Sequence, residues 1–251
     1  MSFVDIHSHI LPGIDDGPSH IEDSIKMAKV AYSDDTSVIV ATPHDRDVSA
    51  KFSSSKVVSL VNTLNQILRE QSIPIKVLVG MENHLAMDSP EQFDKGIALP
   101  IEGTCSMLIE LPFEFVPWYA EEIMYKLQGK GLQLIIVHPE RNAWIQKNFG
   151  ILSRMVNMGI LCQVTAGSIT GEFGPLVQKT ADLLLRRDLV HIVASDSHSY
   201  RGDRSPILSD AVGYIRRVVG YEAANRMAYD VPASVINNQY PDMTKILTPK
   251  S

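Results

Sequence analysis

The stretch VDIHSH at residues 4–9 places two histidines at the end of a short apolar run. Side chains at positions i and i+2 of a strand point to the same face, so His7 and His9 would project together. The loop that follows carries Asp15 and Asp16 among glycines and prolines. A strand that delivers two imidazoles to its own end, before an acidic loop, indicates a divalent-metal site. A lone histidine pair also arises by chance, so this prediction needs further ligands at the same place.

Strand-like and helix-like segments alternate along the chain. Seven apolar segments are predicted as strands: Phe3–His7, Ser37–Thr42, Ile75–Glu82, Ser106–Glu110, Leu132–His138, Ile160–Thr165 and His191–Asp196. Helical periodicity follows most of them, in 19–31, Lys56–Glu70, Trp118–Gln128, Ile151–Met158, Leu176–Arg187 and Ile207–Val219. This alternation predicts the α/β class, with a parallel sheet covered by helices. Six or seven βα units fit a closed TIM-like barrel better than an open sheet.

Potential metal ligands stand at the ends of six of the seven predicted strands: His7 and His9, His44, Glu82, Glu110, His138, and Asp196 with His198. Only the sixth strand, which ends at Thr165, offers no good ligand. The active site of a βα barrel lies at the carboxyl ends of its strands, where these side chains would meet. Random placement of histidine and carboxylate explains this distribution poorly, so we predict a metal centre there.

The other three histidines are predicted to lie outside the site. Ser19 and Glu22 have capping-box spacing, which predicts a helix start with His20 in its first turn. His191 begins a strand instead of ending one, and a satisfied strand-entry histidine explains it. His84 is the least secure exclusion, because a position two residues after Glu82 shares its face on a strand.

Length and composition predict one domain covering residues 1–251, with a loosely structured part from Asp230 onward. The net charge of −6 and the pI near 5.7 argue against general binding to nucleic acid or to anionic membranes. No stretch approaches the roughly 18 consecutive apolar residues of a membrane helix. The charged and polar residues that begin the chain do not form a secretory signal. We therefore expect a cytoplasmic protein.

The cysteines and glycines indicate no other catalytic chemistry. A thiol phosphatase needs the pattern C-x5-R, but Leu111 and Ser168 occupy the arginine positions that would follow Cys105 and Cys162. Buried thiols of a reducing compartment explain both cysteines. The sequence contains neither a phosphate-binding P-loop nor a GxGxxG motif.

Several motifs in the same order resemble the polymerase and histidinol phosphatase (PHP) superfamily. They are DIHSHILPGIDDGP, ATPH, HPERN, QVTAGSITGEFG and ASDSH, together with the strand ends at Glu82 and Glu110. Within it, they are most similar to the manganese-dependent protein-tyrosine phosphatases of bacterial capsule and exopolysaccharide loci, from residue 4 to about residue 206. The resemblance implies a distorted (β/α)7 barrel with a metal cluster at its carboxyl end. It also implies a cognate tyrosine kinase that regulates capsule or exopolysaccharide synthesis.

The family pattern further implies three metal ions, held by His7, His9, Glu82 and Asp196, by Glu82, Glu110 and His138, and by Asp16, His44 and His198. Arg141, in HPERN, matches the phosphate-contacting arginine of the family. A second such arginine is expected after the last histidine, where Arg204 is preferred to Arg201. Asp15 replaces Asp16 if the acidic loop turns differently. The resemblance leaves these two choices open.

The chemistry of the donors agrees with this resemblance. Imidazoles and carboxylates without a thiolate suit Mn²⁺, and Fe²⁺ or Zn²⁺ as alternatives. Three divalent ions would outweigh four carboxylates and, with Arg141 and Arg204, would attract a phosphate dianion. Metal-activated water, its pKa lowered to roughly 7, would attack phosphorus directly without a phosphoenzyme. Phenolate, with a parent pKa near 10, leaves without a strong general acid. We therefore predict a metal-dependent protein-tyrosine phosphatase that acts on a protein and inserts into no membrane.

Two alternatives belong to other classes: a small-molecule phosphomonoesterase of the histidinol-phosphate type, and a non-catalytic kinase-docking module with structural metals. The loop after Glu110 bears on this choice, because Phe113, Phe115 and Trp118 follow the strand end directly. Its aromatic side chains would flank a phosphotyrosine ring. The equally good alternative is that Phe113 and Phe115 seal the barrel top against the next helix.

Overall fold

The computed structural model describes residues 2–239. Its strands are β1 Phe3–Ser8, β2 Thr36–Ala41, β3 Lys76–Val79, β4 Glu82–His84, β5 Ser106–Glu110, β6 Gln133–Val137, β7 Leu161–Thr165 and β8 Ile192–Ala194. Its α-helices are α1 Ile21–Ser33, α2 Asp45–Lys51, α3 Ser54–Glu70, α4 Ser89–Asp94, α5 Ala120–Gly129, α6 Phe149–Asn157, α7 Ala166–Thr170, α8 Pro175–Arg186, α9 Ser209–Val219, α10 Tyr221–Asn225 and α11 Val231–Ile236. A short 3-10 helix covers Pro139–Arg141, and a π-helical turn covers Arg226–Asp230.

All strands pair in parallel, in two sheets of order β1-β2-β3 and β4-β5-β6-β7-β8. Bridges between Ser8 and Ser197 and between His44 and Glu82 join the two sheets at both sides. The amide of Asp196 also donates to the carbonyl of His7 at 2.8 Å. The result is the predicted α/β barrel, distorted because bridges instead of full ladders close two of its seams. The bridging residues Ser8, His44 and Ser197 lie at or just beyond the carboxyl ends of β1, β2 and β8, whereas Glu82 is the first residue of β4.

The strands are buried on both faces, as parallel strands between helices should be. Along β5 and β6, alternate residues pack into different apolar clusters, Leu108 and Ile135 in one and Ile109 and Ile136 in another. This packing explains why the strands read as continuous apolar runs in the sequence. It also fixes the register, because a slip of one residue would move every side chain to the other face.

The predicted third strand, Ile75–Glu82, is two strands in the structure, β3 and β4. The break falls at Gly80, whose amide donates to the carbonyl of Ala41 at 2.9 Å. A Cβ at Gly80 would lie 2.6 Å from Val40 Cγ1, so only glycine allows this close approach to β2. The break carries the chain from one sheet to the other and sets Glu82 at the start of a new strand.

Two predictions about segment ends are wrong. Helix α1 begins at Ile21 with His20 as its N-cap, and no side chain caps it, so Ser19 and Glu22 do not form a capping box. The region after Asp230 is not loose as far as residue 239, because α11 buries Val231 and Val235. The remainder of that region lies outside the described residues. None of the described helices is long and apolar enough to cross a membrane.

Candidate metal centre

The nine predicted ligands meet at the carboxyl end of the barrel, and most of them are buried. Two of them, His138 and Asp196, have left-handed backbones with φ of 35° and 50°. Such conformations cost non-glycine residues about 1–3 kcal/mol and occur preferentially at functional sites. His138 directly follows the last residue of β6, and Asp196 lies two residues after the last residue of β8. The unfavourable backbone conformation of these two residues therefore sets the direction of their side chains.

A first group joins His7, His9, Glu82 and Asp196. The Nε2 atoms of His7 and His9 are 3.3 Å apart, and each lies 3.3–3.6 Å from Glu82 Oε2 and Asp196 Oδ1. Ligand atoms that share one ion at bonds of about 2.1 Å are separated by roughly 3–3.5 Å. All four side chains are at most 2 % exposed. The spacing therefore fits a single buried cation among these four donors.

A second group lies on the other side of Glu82. Glu82 Oε1 is 2.7 Å from His138 Nε2, which is 3.8 Å from Glu110 Oε1. Glu82 thus directs its two carboxylate oxygens into two neighbouring groups, and its Oε2 also lies 2.9 Å from His44 Nδ1. His84 Nδ1 lies 3.4 Å from Glu110 Oε2 and completes the wall of this side.

A third group is more open to solvent. Asp16 Oδ1 lies 3.1 Å from His198 Nε2 and 3.5 Å from His44 Nε2, and the Asp16 side chain is 56 % exposed. Together with His9, these three side chains offer donor atoms within 4.8 Å of one another. Gly17 shapes the loop, because a Cβ there would overlap the carbonyl oxygen of His9.

Hydrogen bonds orient three of the imidazoles. The Nδ1 of His7 lies 2.9 Å from Gln163 Oε1, the Nδ1 of His9 2.7 Å from Asp15 Oδ2, and the Nδ1 of His198 2.9 Å from the carbonyl of Asp196. Each acceptor favours a proton on Nδ1, which leaves the Nε2 lone pair for the cluster. Metal-binding histidines are held in this way by a second polar partner. The structure thus brings Asp16 into the ligand group and sets Asp15 behind His9.

The carboxylates of the site stabilise the protonated forms of two of its histidines, His9 and His44. Burial disfavours a charged ring, but hydrogen bonds to Asp15 and Glu82 raise the pKa of His9 to about 9. Burial also disfavours the charged ring of His44. Its hydrogen bonds to Asp16 and Glu82 outweigh that effect and raise its pKa to about 11. Divalent cations would supply the same positive charge. The donor set, imidazole nitrogen and carboxylate oxygen, suits Mn²⁺, Fe²⁺ or Zn²⁺, so the residues fit a metal cluster.

Two arginines border the cluster. Arg141 Nη2 lies 2.6 Å from Asp196 Oδ2, and its side chain is 10 % exposed. This guanidinium, despite the burial of Asp196, holds the pKa of that carboxyl below its usual range. Arg204 Nη2 lies 2.8 Å from His198 Nε2, and Arg204 Nη1 is 3.5 Å from Asp16 Oδ2. Arg201 instead stacks on the ring of Tyr200. Of the two candidate arginines, the structure brings Arg204 and not Arg201 to the cluster.

A cleft of about 430 Å³ opens beside the second group, lined by Arg46, His84, Glu110, Leu111, Pro112, Phe113, Glu114 and Phe115. Phe113 stacks on the His138 ring with centroids 5.5 Å apart. Phe113 and Phe115 are 49 % and 52 % exposed, so they do not seal the barrel top. Asn142 Nδ2 holds their loop by donating to the carbonyls of Pro112 and Phe115.

The same loop continues to a second aromatic surface. Trp118 is 83 % exposed and Trp144 52 % exposed, and both line a further cleft with Val116 and Arg154. Large exposed aromatic side chains in one area are unusual on a protein that meets only water. This surface adjoins the loop that borders the metal ligands.

The remaining candidates lie apart from the cluster. His20 is exposed at the start of α1, and His191 is buried at the amino end of β8, where its Nδ1 accepts from the amide of Cys162. The Cys162 thiol is buried, and burial raises its pKa well above the usual value, which makes it a poor nucleophile. Cys105 donates to Asn238 Oδ1 on another side of the molecule.

Sequence reasoning missed two contributors to the site. His84 lines the cleft beside Glu110, and its position two residues after Glu82 was the available signal. Gln163 orients His7 from the sixth predicted strand, whose end offers no good metal ligand. Gln163 stands two residues before that end and contacts a ligand instead of being one.

A βα barrel whose carboxyl end gathers nitrogen and oxygen donors beside two arginines defines a class, the metal-binding barrel hydrolases. The chain belongs to the capsular polysaccharide synthesis CpsB/CapC family, whose model matches residues 3–237. It is 38 % identical over 198 residues to the tyrosine-protein phosphatase YwqE of Bacillus subtilis, covering 79 % of this chain and 78 % of that protein. It is 26 % identical over 241 residues to the tyrosine-protein phosphatase CpsB of Streptococcus pneumoniae, covering 94 % and 99 %.

One solved structure gives the same family, and a second gives the same fold. A structure from a study of YwqE and CpsB, described as unique metal-dependent tyrosine phosphatases, superposes with a TM-score of 0.90 at 35 % identity, covering 94 % of this chain and 95 % of that one. A dihydropyrimidinase from Brevibacillus agri superposes with a TM-score of 0.58 at 13 % identity, covering 96 % and 72 %. The second likeness shows the barrel fold alone.

Proposed function

We propose that this protein is a metal-dependent protein-tyrosine phosphatase that holds up to three ions, with Mn²⁺ as the preferred metal. The observation that carries the proposal is the meeting of nine side chains with nitrogen and oxygen donors at one end of the barrel, next to Arg141 and an open aromatic cleft. The names of the relatives support it, because YwqE and CpsB are tyrosine-protein phosphatases and cover most of the chain.

The protein's own residues have distinct tasks in this proposal. When bound, the metals would act as Lewis acids and lower the pKa of water to roughly 7. Glu82 lies between donors of adjoining groups, so its carboxylate would help to hold the metals there. Arg141 and Arg204 supply donors and positive charge for the phosphoryl oxygens, which carry the charge of the transition state. Because these groups are held before substrate arrives, little reorganisation is needed.

The cleft suits an aryl leaving group. At about 430 Å³ it lies within the usual range of ligand sites, and Phe113 lines it while stacking on the ring of His138. A phosphotyrosine ring placed against Phe113 would keep its phosphate at the cluster. Phenolate needs less protonation than a serine alkoxide because its conjugate acid has a pKa near 10. The site would therefore favour aryl phosphates over alkyl phosphates.

The substrate that we propose is a tyrosine-phosphorylated protein, specifically a cognate kinase of capsule or exopolysaccharide synthesis. The family description supports the process, since it names capsular polysaccharide synthesis. The exposed aromatic surface at Phe115 and Trp118 supports a polypeptide substrate, because it offers contact area beyond a single phosphotyrosine. We also propose that this reaction takes place in the cytoplasm.

A small-molecule phosphomonoesterase is the second candidate. An enclosed metabolite pocket would favour it, whereas this site opens through a cleft with half-exposed Phe113 and Phe115. A kinase-docking module with structural metals is less well supported, since structural sites close around one ion with all positions filled by protein. The three adjoining groups with two nearby arginines leave room for a ligand.

The decisive experiment compares turnover on three substrates by the Mn²⁺-loaded protein. We expect a phosphotyrosine peptide to be cleaved far faster than the phosphoserine peptide of the same sequence and than histidinol phosphate. Equal rates on the two peptides would defeat the tyrosine assignment. Chelation should abolish activity and Mn²⁺ should restore it at least as well as Mg²⁺, while thiol alkylation should leave the rate nearly unchanged. Full activity in protein from which a chelator has removed the metal would contradict the metal-dependent mechanism.

The aromatic loop provides a separate test of the protein substrate. Phe115→Ala and Trp118→Ala should reduce kcat/KM for the phosphotyrosine peptide more than for para-nitrophenyl phosphate, which reaches only the cleft. Tyr125→Ala is a matched control, because Tyr125 is 72 % exposed on α5 and lines neither cleft. Equal losses on both substrates would indicate that the loop shapes the site and does not contact the polypeptide.

A further inference from the structure

The segment GEFG at residues 171–174 belongs to a motif that the metal ligands do not explain. It joins α7 to α8 directly above the carboxyl end of β7. Gly171 and Gly174 have φ of 99° and 89°, a left-handed region that favours glycine. The amide of Glu172 donates to the carbonyl of Gly167 at 2.8 Å, which folds the segment back over α7. The two central residues are thereby held in one place.

Phe173 faces the guanidinium of Arg141. The Cζ of Arg141 lies 3.9 Å from the centroid of the Phe173 ring, well inside the range of about 6 Å for a cation–π contact. Arg141 is buried on this side, so the contact is partly shielded from water. The same guanidinium reaches Asp196 on its other side. The ring and the carboxylate therefore hold Arg141 from two directions.

The backbone is built to admit this contact. A Cβ at Gly167 would lie 2.9 Å from Phe173 Cε2 and would overlap the Glu172 carboxylate. Gly167 is buried within α7, where glycine otherwise weakens a helix by about 1 kcal/mol relative to alanine. The room that it leaves is filled by the segment that carries Phe173.

A ring suits this place better than a second carboxylate would. A carboxylate would occupy the N–H donors of Arg141 and compete with phosphate for them. An aromatic face attracts the guanidinium through its flat side and leaves the N–H groups at its edge available. The buried Nε and Nη2 atoms of Arg141 make no hydrogen bond with the described residues, although Nη2 forms an ion pair with Asp196 at 2.6 Å. Nε is thus a donor that a phosphoryl oxygen would satisfy.

We propose that Phe173 is a positioning residue, which fixes the plane of Arg141 so that its donors meet the phosphoryl group. This inference rests on the proposed function, in which Arg141 contacts phosphate. Phe173 itself touches no substrate. Its ring acts only through Arg141, so its effect on activity should depend on the presence of Arg141.

The first measurement compares Phe173→Leu with Phe173→Tyr in the metal-loaded protein. Leucine removes the π face, whose contribution corresponds to about tenfold, so we expect kcat/KM to fall and the inhibition constant for inorganic phosphate to rise by about that factor. Tyrosine keeps the ring face, and we expect it to stay within twofold of the parent protein. Equal losses in the two variants would overturn the proposal, because they would trace the effect to packing.

The second measurement repeats Phe173→Leu in the Arg141→Ala background. If Phe173 acts through Arg141, the loss on Phe173→Leu should shrink to less than about twofold there. An undiminished tenfold loss would overturn the positioning role and leave the proposed phosphatase intact. Absence of any phosphatase activity would instead defeat the proposed function. The effects of Phe173→Leu with and without Arg141→Ala would then be compared through the affinity for inorganic phosphate alone.

The chain offers a matched control in a second arginine–phenylalanine pair. Arg187 Cζ lies 4.8 Å from the centroid of the Phe149 ring, and neither residue belongs to the cluster. Phe149→Leu should leave kcat/KM and the phosphate constant unchanged at a temperature well below its Tm. A loss like that of Phe173→Leu would show that any such pair affects activity, and would overturn the proposal.

Discussion

His9 and His191 are both almost inaccessible to water, yet the protein shifts their pKa values in opposite directions. His191, at the amino end of β8, has its pKa lowered to about 4 by burial. His9, at the carboxyl end of β1, has its pKa raised to about 9, because Asp15 and Glu82 outweigh the same burial. Burial alone removes a proton from histidine, and only the carboxylates of one barrel end reverse that tendency.

These opposite pKa shifts distinguish a structural histidine, His191, from a candidate ligand, His9. The amino end uses His191 as a neutral acceptor for the amide of Cys162, at 3.0 Å. The carboxyl end concentrates carboxylates that need positive charge from somewhere. Protonated histidines, Arg141 and Arg204 supply it in the protein alone, and divalent cations would supply it in the loaded site. Substitution of a carboxylate or of a positively charged residue should therefore disturb this balance from one side.

The largest effect should follow Glu82→Gln, which removes the carboxylate shared by two ligand groups. We expect kcat/KM for a phosphotyrosine peptide to fall by about 10³-fold or more, with fewer metal ions bound per chain. Activity and metal content by elemental analysis check this. Glu140→Gln is the matched control, because Glu140 is equally buried and its Oε1 accepts from the amide of Thr165 instead of meeting a donor of the cluster. Unchanged metal content in Glu82→Gln would contradict the assignment of this residue.

Removal of either arginine beside the cluster should have the next largest effect, although neither arginine is a metal ligand. Arg141→Ala and Arg204→Ala should each lower kcat/KM by about 10²-fold, the range for loss of one transition-state charge contact. Arg141→Ala should keep its metal content. Arg201→Ala should have a much smaller effect, because Arg201 stacks on Tyr200 outside the cluster. A larger loss in Arg201→Ala than in Arg204→Ala would reverse the order that the structure gives.

Metal binding should release protons from the carboxyl end. The pKa of His9, about 9, and that of His44, about 11, mean that both rings are protonated at pH 7 in the metal-free protein. A bound ion needs the neutral ring, so affinity for Mn²⁺ should rise with pH, by about tenfold per pH unit for each proton released. Titration calorimetry in buffers of different ionisation enthalpy between pH 6.5 and 8.5 measures this release. An affinity independent of pH would contradict it.

The smallest effect concerns stability at the amino end. Because the folded pKa of His191 is about 4 and its ordinary value is 6.5, the unfolded chain binds the extra proton between these values. Stability from this residue is complete above pH 6.5 and falls as pH drops, by roughly 1 kcal/mol between pH 7 and 5.5. His191→Asn keeps an acceptor for the Cys162 amide but does not titrate. Denaturant unfolding of both proteins at the two pH values should show that difference, and parallel losses would contradict it.

The strand ends were predictable from the sequence because a parallel barrel fixes which end of each strand faces the site. His138 and Glu110 are placed by that topology, so their neighbours in space follow from strand order alone. The choice between Asp15 and Asp16 was not predictable in the same way. It depends on a turn in which Gly17 approaches the carbonyl of His9, and two adjacent aspartates give no sequence signal for such a turn.

The division of the third predicted strand was also beyond reach of the sequence. The run from Ile75 to Glu82 reads as one apolar strand, and only the contact of Gly80 with Val40 shows why it must break. Contacts between side chains distant in sequence decide such details. The same holds for Gln163, whose role becomes visible only when β7 is placed opposite His7.

Both tryptophans of the chain, Trp118 and Trp144, lie on the one surface that adjoins the cleft. With side chains 83 % and 52 % exposed, both indoles are in contact with water. Tryptophan fluorescence therefore comes entirely from this region and from no other part of the barrel. A polypeptide that covers the loop would shift the emission to shorter wavelength, whereas inorganic phosphate at the cluster would not. The protein thus carries its own optical reporter for docking, separable from chemistry and usable without a label.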